Sequence, residues 1–500
     1  MFRQLLRLSK HSIVYGLGVA ISQVVGFFLI PVYTRYLTPA DYGGLEIFQT
    51  TLSILSIIFV MGLTTALFRS YFNYGDEEKR KTVVGTTFLF LTGTSFLFLL
   101  ILMALAGDFS ALLFGSVEYA LYFRVIFLTL FFDVGVVIAF SVLRAREESK
   151  KYAIFALIRF LTTAGLNILF VVVLHKGVLG ILLGGLIAAF LLYCISLRSI
   201  VKNAKLSFSI AELKEMLSFG LPLVPAGLAA WIMTMADRYF LQFLSTPTEL
   251  GLYSLGYKFG MVIQGLIVRP FILAWGPFFW SVTRERNAKE IYSSVLTYFV
   301  LVGMAVALVL SVLSKEVLVI MATPPFHGAY KVIPLIAVSY VSYGCYQILA
   351  PGILLEKKTK YLALIVVVGA AVNLGLNYLL IPSYGMMGAA VATVISYLLL
   401  PVGSYFVSKR YYPIKYEWGR VAKILVAAGL VYVGSLFITA DSAIVAGLLK
   451  AVTLLGFPLL LFAFRFFKPE EIQKAKEIFR AVPGYVKLRW AKKGLFWRKK

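Results

Sequence analysis

Residues 218–258 read SFGLPLVPAGLAAWIMTMADRYFLQFLSTPTELGLYSLGYK, and this stretch decides the fold. Its first part is an apolar run long enough to cross a membrane as a helix. Pro222 and Pro225 loosen that helix, because proline cannot donate a backbone hydrogen bond. Near its far end Asp237 and Arg238 are adjacent, and a short turn and a second apolar run follow. Charge within apolar spans predicts a polytopic membrane protein with a functional interior.

The turn in this stretch has a counterpart near the N-terminus. LTPADYGGL at residues 37–45 aligns with STPTELGLY at residues 245–253, at a constant offset of 208. Residues 149–167 likewise align with residues 359–377, at an offset of 210, and both segments end in GLN. If each half contains six spans, the halves share one orientation in the membrane, because six is an even number. The sequence therefore predicts two parallel six-helix repeats.

The predicted domains follow from these repeats and from the composition of the last segment. They are an N-lobe of spans 1–6 at residues 1–205, a C-lobe of spans 7–12 at 206–410, two extra spans at 411–466, and a basic cytoplasmic tail at 467–500.

Composition requires a membrane environment. Of the 500 residues, 60% are hydrophobic and 14% are charged, against about 45–50% and about 25% in soluble domains. Apolar stretches that can cross about 30 Å of hydrocarbon as helices predict an all-α protein with about fourteen transmembrane helices. We place these spans at residues 12–34, 43–68, 83–106, 119–143, 152–174, 178–197, 216–243, 250–280, 291–313, 332–355, 361–381, 385–408, 421–439 and 443–464.

The basic residues are distributed on one side of this topology. Alternate connections and both ends hold 38 of the 48 Lys and Arg residues, and the opposite connections hold four. The positive-inside rule then predicts that both termini lie in the cytoplasm. We expect a multi-pass protein of the cell (inner) membrane. Because the basic residues surround one membrane face, they predict contact with membrane lipids and argue against nucleic acid. Residues 470–479 suit an interfacial helix, and the basic end of the tail contacts either lipid or a partner protein.

Ionisable residues within spans are candidates for a cavity lining, because burying them in hydrocarbon costs about 2.5–3.5 kcal/mol each. Six basic and two acidic residues meet this description: Arg124, Arg159, Arg238, Lys258, Arg269, Lys450, Asp133 and Asp237. For those near span ends, Arg238 among them, the alternative is a side chain that reaches the membrane surface, and Arg35 at the end of span 1 is similar.

Lys258 and Arg269 are the strongest candidates for binding an anion. They are eleven residues apart, which in an α-helix is three turns and about 20°, so we expect both on one face of span 8, about 16 Å apart. Pro270 follows directly and is expected to kink the helix. Two cations on one face predict a path for an anionic substrate rather than a lipid-facing surface.

Span 5 carries a polar stripe. Arg159, Thr163 and Asn167 are spaced four residues apart, and Asn373 and Asn377 occupy repeat-equivalent positions in span 11. Arg159 predicts a cavity, whereas the Asn and Thr side chains either line that cavity or form hydrogen bonds between helices.

Further candidates have open alternatives. Tyr343 and Gln347 in span 10 either stack on a sugar or belong to the core. Asp133 and Asp237 must each pair with a cation or take up a proton, so each is a candidate charge pair or a proton or sodium coupling site. The cysteines, Cys194 and Cys345, have no metal-ligand spacing, and we expect neither a metal nor a cofactor.

The motifs above carry a family likeness. YLTPADYG, the span-7 pattern LPLVPAGLAAWIMTMADRYFL with LGLYSLGYK, and KKYAIFALIRFLTTAGLNILF resemble the polysaccharide flippases of the multidrug/oligosaccharidyl-lipid/polysaccharide exporter superfamily. The resemblance implies a two-lobed MATE-like fold that moves polyprenyl-(di)phosphate-linked oligosaccharide to the outer leaflet by alternating access. It places Asp237 and Arg238 on the family's span-7 Asp–Arg pair. It also implies glycosyltransferases or a glycan polymerase as partners.

Other functions fit the sequence less well. The lipid II flippases are a related branch. They have an Arg–Asp pair where residues 28–31 of this chain are apolar, which argues against that branch. An ion-coupled multidrug exporter is expected to have twelve spans and an acidic cavity. An enzyme needs a larger acidic outer domain than the connections provide, and no Gly-rich ATP-binding loop is found. We therefore predict a non-enzymatic flippase driven by a proton, sodium or the membrane potential.

Overall fold

The computed structural model describes residues 27, 29–205 and 207–473, and within these ranges every regular element is a helix. Ten helices in this part of the chain are long and apolar enough to cross a membrane. An eleventh span results if Ile210–Gly220 and Leu223–Met235, which are bent by 41°, are counted together. The all-helical membrane architecture is confirmed. The total of fourteen spans stays a prediction, since most of span 1 lies outside the described residues.

The first half of the described chain contains eight α-helices. They are α1 (Ile30–Tyr36), α2 (Pro39–Val60), α3 (Leu63–Asn73), α4 (Glu77–Ala104), α5 (Ala106–Phe114), α6 (Ala120–Ala145), α7 (Ser149–Ile168) and α8 (Gly177–Asn203).

The second half continues with nine helices, one long element and an appended set of three helices. The nine are α9 (Ile210–Gly220), α10 (Leu223–Met235), α11 (Asp237–Leu244), α12 (Pro247–Gly260), α13 (Arg269–Val282), α14 (Ala288–Val312), α15 (Ser314–Met321), α16 (Ile333–Ile348) and α17 (Pro351–Leu355). After the long element α18 (Lys360–Tyr411) come α19 (Trp418–Leu436), α20 (Ala443–Thr453) and α21 (Gly456–Ala463).

Spans 11 and 12 are joined in α18, which has 52 residues and would be about 78 Å long if straight. That is more than twice the hydrocarbon thickness of a bilayer. Gly385 interrupts it with a φ of 52° and a ψ of −131°, a backbone conformation that is not helical. The element is therefore two helices that meet at this glycine, as the sequence predicts.

Span 8 differs from the regular helix that the sequence predicts. A π-helical turn at Gln264–Val268 separates α12 from α13. A π turn contains an additional residue, which rotates everything after it relative to an unbroken α-helix. The periodicity that predicts Lys258 and Arg269 on one face therefore does not hold between them. Lys258 contacts the first half of the protein, whereas Arg269 is exposed.

The two repeated Thr-Pro turns pack against each other. Each begins a helix whose N-cap threonine accepts a backbone hydrogen bond, Thr38 in α2 and Thr246 in α12. Gly43 lies against the backbone of Pro247, and Gly251 lies against the backbone of Pro39, so that a Cβ atom at either glycine would collide with a carbonyl oxygen. The sequence repeat thus marks a close backbone contact between the two halves.

Further contacts between the halves lie along α2 and at its end. Gly62, with a φ of 69°, packs against the Gly220 carbonyl, so the joint between α2 and α3 meets the joint between α9 and α10. Between the two glycine contacts, Trp231 Nε1 donates a hydrogen bond to Ser53 Oγ at 2.7 Å. The halves are therefore in contact along most of α2.

An ionic cluster fixes the last described residues to the appended helices. Arg420 Nη2 donates hydrogen bonds to Glu471 Oε1 at 3.0 Å and to Oε2 at 2.8 Å. Lys468 Nζ is 2.6 Å from Glu417 Oε1. Burial raises the pKa of Glu471, but hydrogen bonds from Tyr298 and the Lys468 backbone and the charge of Arg420 outweigh it, so the pKa lies below its usual range. The predicted interfacial helix is observed only up to residue 473, and the rest of the basic tail lies outside the described residues.

We expect Gly251→Ala to destabilise the protein, because its methyl group would collide with a backbone carbonyl that cannot move independently. Overpacking of this kind costs about 1–3 kcal/mol. The matched control is Gly375→Ala, where a Cβ atom meets nothing within 4 Å and the residue is helical. Unfolding of both variants in detergent tests this, and equal stability of the two would contradict the close contact.

Candidate functional site

A cavity with a volume of about 700 Å³ lies in the first half of the protein. Its walls come from α1, α2, α6, α7 and α8, and one side chain, Lys258, reaches it from α12 in the second half. This volume lies within the range of about 300–1,000 Å³ that holds small-molecule ligands. Most of the wall is apolar or aromatic, and the charged groups are concentrated in two ion pairs.

The first ion pair joins α6 to α7. Arg159 Nη2 lies 2.8 Å from Asp133 Oδ1 and donates a hydrogen bond to Oδ2 at 3.0 Å. The Arg159 side chain is 38% exposed and the Asp133 side chain is 15% exposed. The carboxylate is thus enclosed, while the guanidinium keeps donors directed at the cavity.

The second ion pair joins the two halves. Lys258 Nζ donates hydrogen bonds to Glu46 Oε1 and to the Tyr42 hydroxyl, the latter at 2.9 Å. Lys258 is 33% exposed and Glu46 only 7%. Glu46 is not among the residues predicted from the sequence. It could have been, because it is an acidic residue within the predicted span 43–68.

These two pairs change the expected electrostatics of the cavity. The sequence predicts a basic cavity, but each cavity cation has its own carboxylate, so the four groups are formally neutral together. An unpaired charge in an apolar bundle would be costly, which is the physical reason for the pairing. In both pairs the cation is more exposed than the acid, and the cavity therefore presents positive groups to a ligand.

The polar stripe predicted on span 5 lines the same cavity. Arg159, Thr163 and Asn167 of α7 all contribute to its wall. Asn167 Nδ2 is buried and donates a hydrogen bond to the Tyr33 hydroxyl at 2.6 Å. Helical periodicity thus brings three of the predicted residues together with Lys258 and Asp133.

Asp237 and Arg238 lie elsewhere, enclosed in the second half. Arg238 Nη1 is 2.5 Å from Asp237 Oδ1 and 2.7 Å from the Thr234 carbonyl oxygen. The guanidinium lies 4.0 Å from the centroid of the Tyr257 ring, and the Tyr253 hydroxyl donates to the second oxygen of Asp237. Adjacent residues can pair here because α10 ends just before Asp237 and α11 begins at it. Both side chains are buried, so the geometry does not support substrate contact by Arg238.

The remaining predicted residues of the second half also lie outside the cavity. Tyr343 packs against the ring of Tyr397, which favours the core alternative. Asn377 is buried and donates a hydrogen bond to Asn373 Oδ1 at 3.0 Å, and Gln347 is half-buried.

Two predicted cations are exposed on the helices. Arg35 lies in the last turn of α1, and Arg269 begins α13 directly after the π turn. Neither lines the cavity, and neither pairs with an acid among residues 29–205 and 207–473. A role for them in substrate binding remains a prediction.

Comparison with known proteins gives the family. The family model described as "Polysaccharide biosynthesis protein" matches residues 8–283, more than half of the chain. The chain belongs to this family. Among its relatives, the Lsg locus putative protein 1 of Haemophilus influenzae is 25% identical over 334 residues, covering 65% of this chain and 79% of that protein. An uncharacterized membrane protein of the same organism is 25% identical over 270 residues, covering 52% and 62%.

Solved structures share the fold of this polysaccharide biosynthesis protein. The lipid II flippase MurJ in an inward closed conformation superposes with a TM-score of 0.71 at 18% identity, covering 91% of this chain and 98% of MurJ. An inward-facing multidrug resistance MATE transporter superposes with a TM-score of 0.64 at 14% identity, covering 80% and 97%. With the family match, these findings confirm the resemblance to the polysaccharide flippases of this superfamily.

A double-mutant cycle tests the ion pair between the halves. We expect Glu46→Gln and Lys258→Gln each to lower the free energy of unfolding, because each leaves a charge without its partner. The double variant should lose less than the sum of the single variants, with an interaction energy of about 0.5–3 kcal/mol. Unfolding in mixed micelles measures it, with Arg124→Gln, an exposed residue outside the cavity, as the control. Strictly additive losses would mean that the pair contributes nothing.

Proposed function

We propose that this protein is a flippase that carries a polyprenyl-(di)phosphate-linked oligosaccharide from the cytoplasmic to the outer leaflet by alternating access. The observation that carries the proposal is the cavity of about 700 Å³ with Arg159 and Lys258 on its wall. The family and the fold support a transporter or flippase in general, and the cavity supports this class of substrate.

The headgroup needs partners because an isolated charge cannot enter hydrocarbon without a prohibitive desolvation cost. The exposed sides of the Arg159 guanidinium and the Lys258 ammonium offer charge-assisted hydrogen bonds to phosphate oxygens. The Thr163 hydroxyl on the cavity wall is available to the sugars, and the polyprenyl chain stays in the lipid. An inside-negative potential assists the outward step by about 2.3 kcal/mol per negative charge per 100 mV.

The carboxylates give the cycle a means of coupling. In the empty cavity Asp133 and Glu46 neutralise the cations, and a bound phosphate competes with them for the same donors. A carboxylate released in this way takes up a proton or a sodium ion, because it cannot remain charged and unpaired. We place coupling at Asp133 and Glu46, since Asp237 is enclosed with Arg238 and Tyr253.

Alternating access requires the halves to move relative to each other. We infer that residues 1–205 and 206–410 form the moving N- and C-lobes, in an inner membrane with both termini in the cytoplasm. Glycosyltransferases that build the lipid-linked glycan and a polymerase that consumes it are the expected partners.

A second candidate is the flipping of a lipid II-type cell-wall precursor. It is favoured by the superposition on MurJ, which covers nearly all of both chains. This substrate also has a polyprenyl diphosphate headgroup, so the same cations would serve it. The glycan distinguishes the two candidates, and direct competition between the two lipids in one transport assay decides between them.

We expect Arg159→Gln and Lys258→Gln each to reduce transport about tenfold or more. Loss of a hydrogen bond to a charged group costs about 1.5–3 kcal/mol, and each 1.4 kcal/mol is a factor of ten. The assay uses proteoliposomes and a fluorescent short-chain polyprenyl-diphosphate oligosaccharide, with the lipid exposed in the outer leaflet quenched chemically.

Two controls accompany that assay. Arg124→Gln changes an exposed cation of the same helix bundle outside the cavity and should transport normally. The matching polyprenol lipid without phosphate should not be moved by any variant. Normal transport by both cavity variants, with normal folding, would refute the cavity assignment.

A further inference from the structure

A second cavity of about 300 Å³ lies between α14, α15, α19 and α20. None of its lining residues belongs to the first cavity. It is enclosed by the appended helices that follow the two repeats. Its volume is at the lower end of the range for small-molecule pockets, so it is suited to a headgroup rather than to a whole lipid. The proposed transport cycle uses none of its residues.

A buried ion pair forms its floor. Lys450 Nζ of α20 lies 2.7 Å from Glu316 Oε1 of α15, and both side chains are at least nine-tenths buried. Glu316 Oε2 is also buried, and no described residue donates a hydrogen bond to it. An ionised oxygen in such a place requires a donor.

The serines around this floor can only accept hydrogen bonds from a ligand. A hydroxyl has one donor hydrogen and two acceptor lone pairs. The donor is used within the protein's own helices in three serines of the lining: Ser311 donates to the Ala307 carbonyl at 2.6 Å, Ser314 to Ser311 at 2.8 Å, and Ser435 to Tyr432 at 2.6 Å. With Glu316 Oε2, the floor therefore offers only acceptors and suits a ligand with several donor hydrogens, such as an ammonium group.

The outer part of the pocket adds one basic and one acidic side chain. Lys315 and Asp441 are exposed at its rim. Lys450 has two further ammonium hydrogens beyond the one given to Glu316. The two lysines and two acids are formally neutral together, which matches a zwitterion better than an ion of either sign.

The surface beside the pocket is apolar and exposed. Leu436 lines the pocket at the end of α19, and Ile444 and Leu448 continue the exposed surface along α20. These helices are among those apolar enough to lie in a membrane. A ligand that enters here therefore has acyl chains next to its polar headgroup.

We propose that this pocket binds the headgroup of a phospholipid with a primary amine, of the phosphatidylethanolamine type. The ammonium lies on Glu316 Oε2 and the serine oxygens, the phosphate accepts from Lys450 and Lys315, and the acyl chains cover α19 and α20. The lipid joins the appended helices to α14 and α15. This binding is independent of the transported substrate.

Native mass spectrometry of the full chain tests this with two lipids. Phosphatidylethanolamine and phosphatidylcholine with the same acyl chains differ only at the nitrogen, which carries three hydrogens in the first and three methyl groups in the second. We expect one phosphatidylethanolamine to be retained with about tenfold preference, which corresponds to about 1.4 kcal/mol. Equal retention would overturn the proposal. Competition by soluble glycerophosphoethanolamine shows whether the headgroup alone binds, and preferential binding of this soluble molecule without any lipid retention would overturn the lipid assignment.

Variants then locate the site. Glu316→Gln keeps the volume but removes the charge, and it should abolish the preference. The matched control is Glu417→Gln, which changes another paired carboxylate in the separate Arg420–Lys468 cluster and should leave the preference intact. If Glu316→Gln does not fold, the rim variant Lys315→Gln, which removes one proposed donor to the phosphate and should lower lipid retention, and the comparison of the two lipids on the unaltered protein decide the question. A preference that survives Glu316→Gln in folded protein would overturn the site.

Discussion

The structure depends on one constraint: a charge inside an apolar helix bundle must be neutralised by a nearby partner. Four such ion pairs occur in the described chain, Arg159–Asp133, Lys258–Glu46, Arg238–Asp237 and Lys450–Glu316. They differ in how far the cation remains exposed. Arg238 is enclosed among tyrosines and Lys450 lies at the floor of the second cavity, whereas Arg159 and Lys258 keep a side open to the first cavity. Exposure of the cation, rather than the number of cations, therefore separates the two pairs of the first cavity from the enclosed Arg238–Asp237 pair.

The two halves share the repeated sequence turn but differ in their charged residues. At the offset of 208, Arg238 corresponds to Ile30 and Lys258 corresponds to Thr50, so the charged positions are not duplicated. In the second half, tyrosines pack around Arg238 and leave it enclosed. The candidate site therefore lies mostly in the first half, with Lys258 as the contribution of the second.

The sequence predicts those features that depend on local or periodic patterns. The apolar spans and the repeated turn follow from length and alignment, and the stripe from Arg159 to Asn167 follows from helical spacing. Features that depend on contacts between residues distant in the chain could not be predicted from the sequence. The π turn at Gln264–Val268 has no sequence signature that separates it from an α-helix. The pairing of Asp237 with Arg238 depends on a helix break, and the role of Glu46 depends on a lysine 212 residues away.

The position of Lys258 connects binding to movement. It belongs to the second half, yet it completes the cavity wall of the first and is held there by Glu46. In the proposed cycle a phosphate that enters takes the place of this carboxylate, so the ammonium never lacks a partner and the exchange adds little desolvation cost. The exchange also removes one bond that holds α12 to α2, close to where Gly43 and Gly251 keep the helices in contact. A neutral ligand cannot make this exchange, because it offers the ammonium nothing to replace Glu46. In the proposed cycle, substrate charge and separation of the halves are thus linked through one side chain.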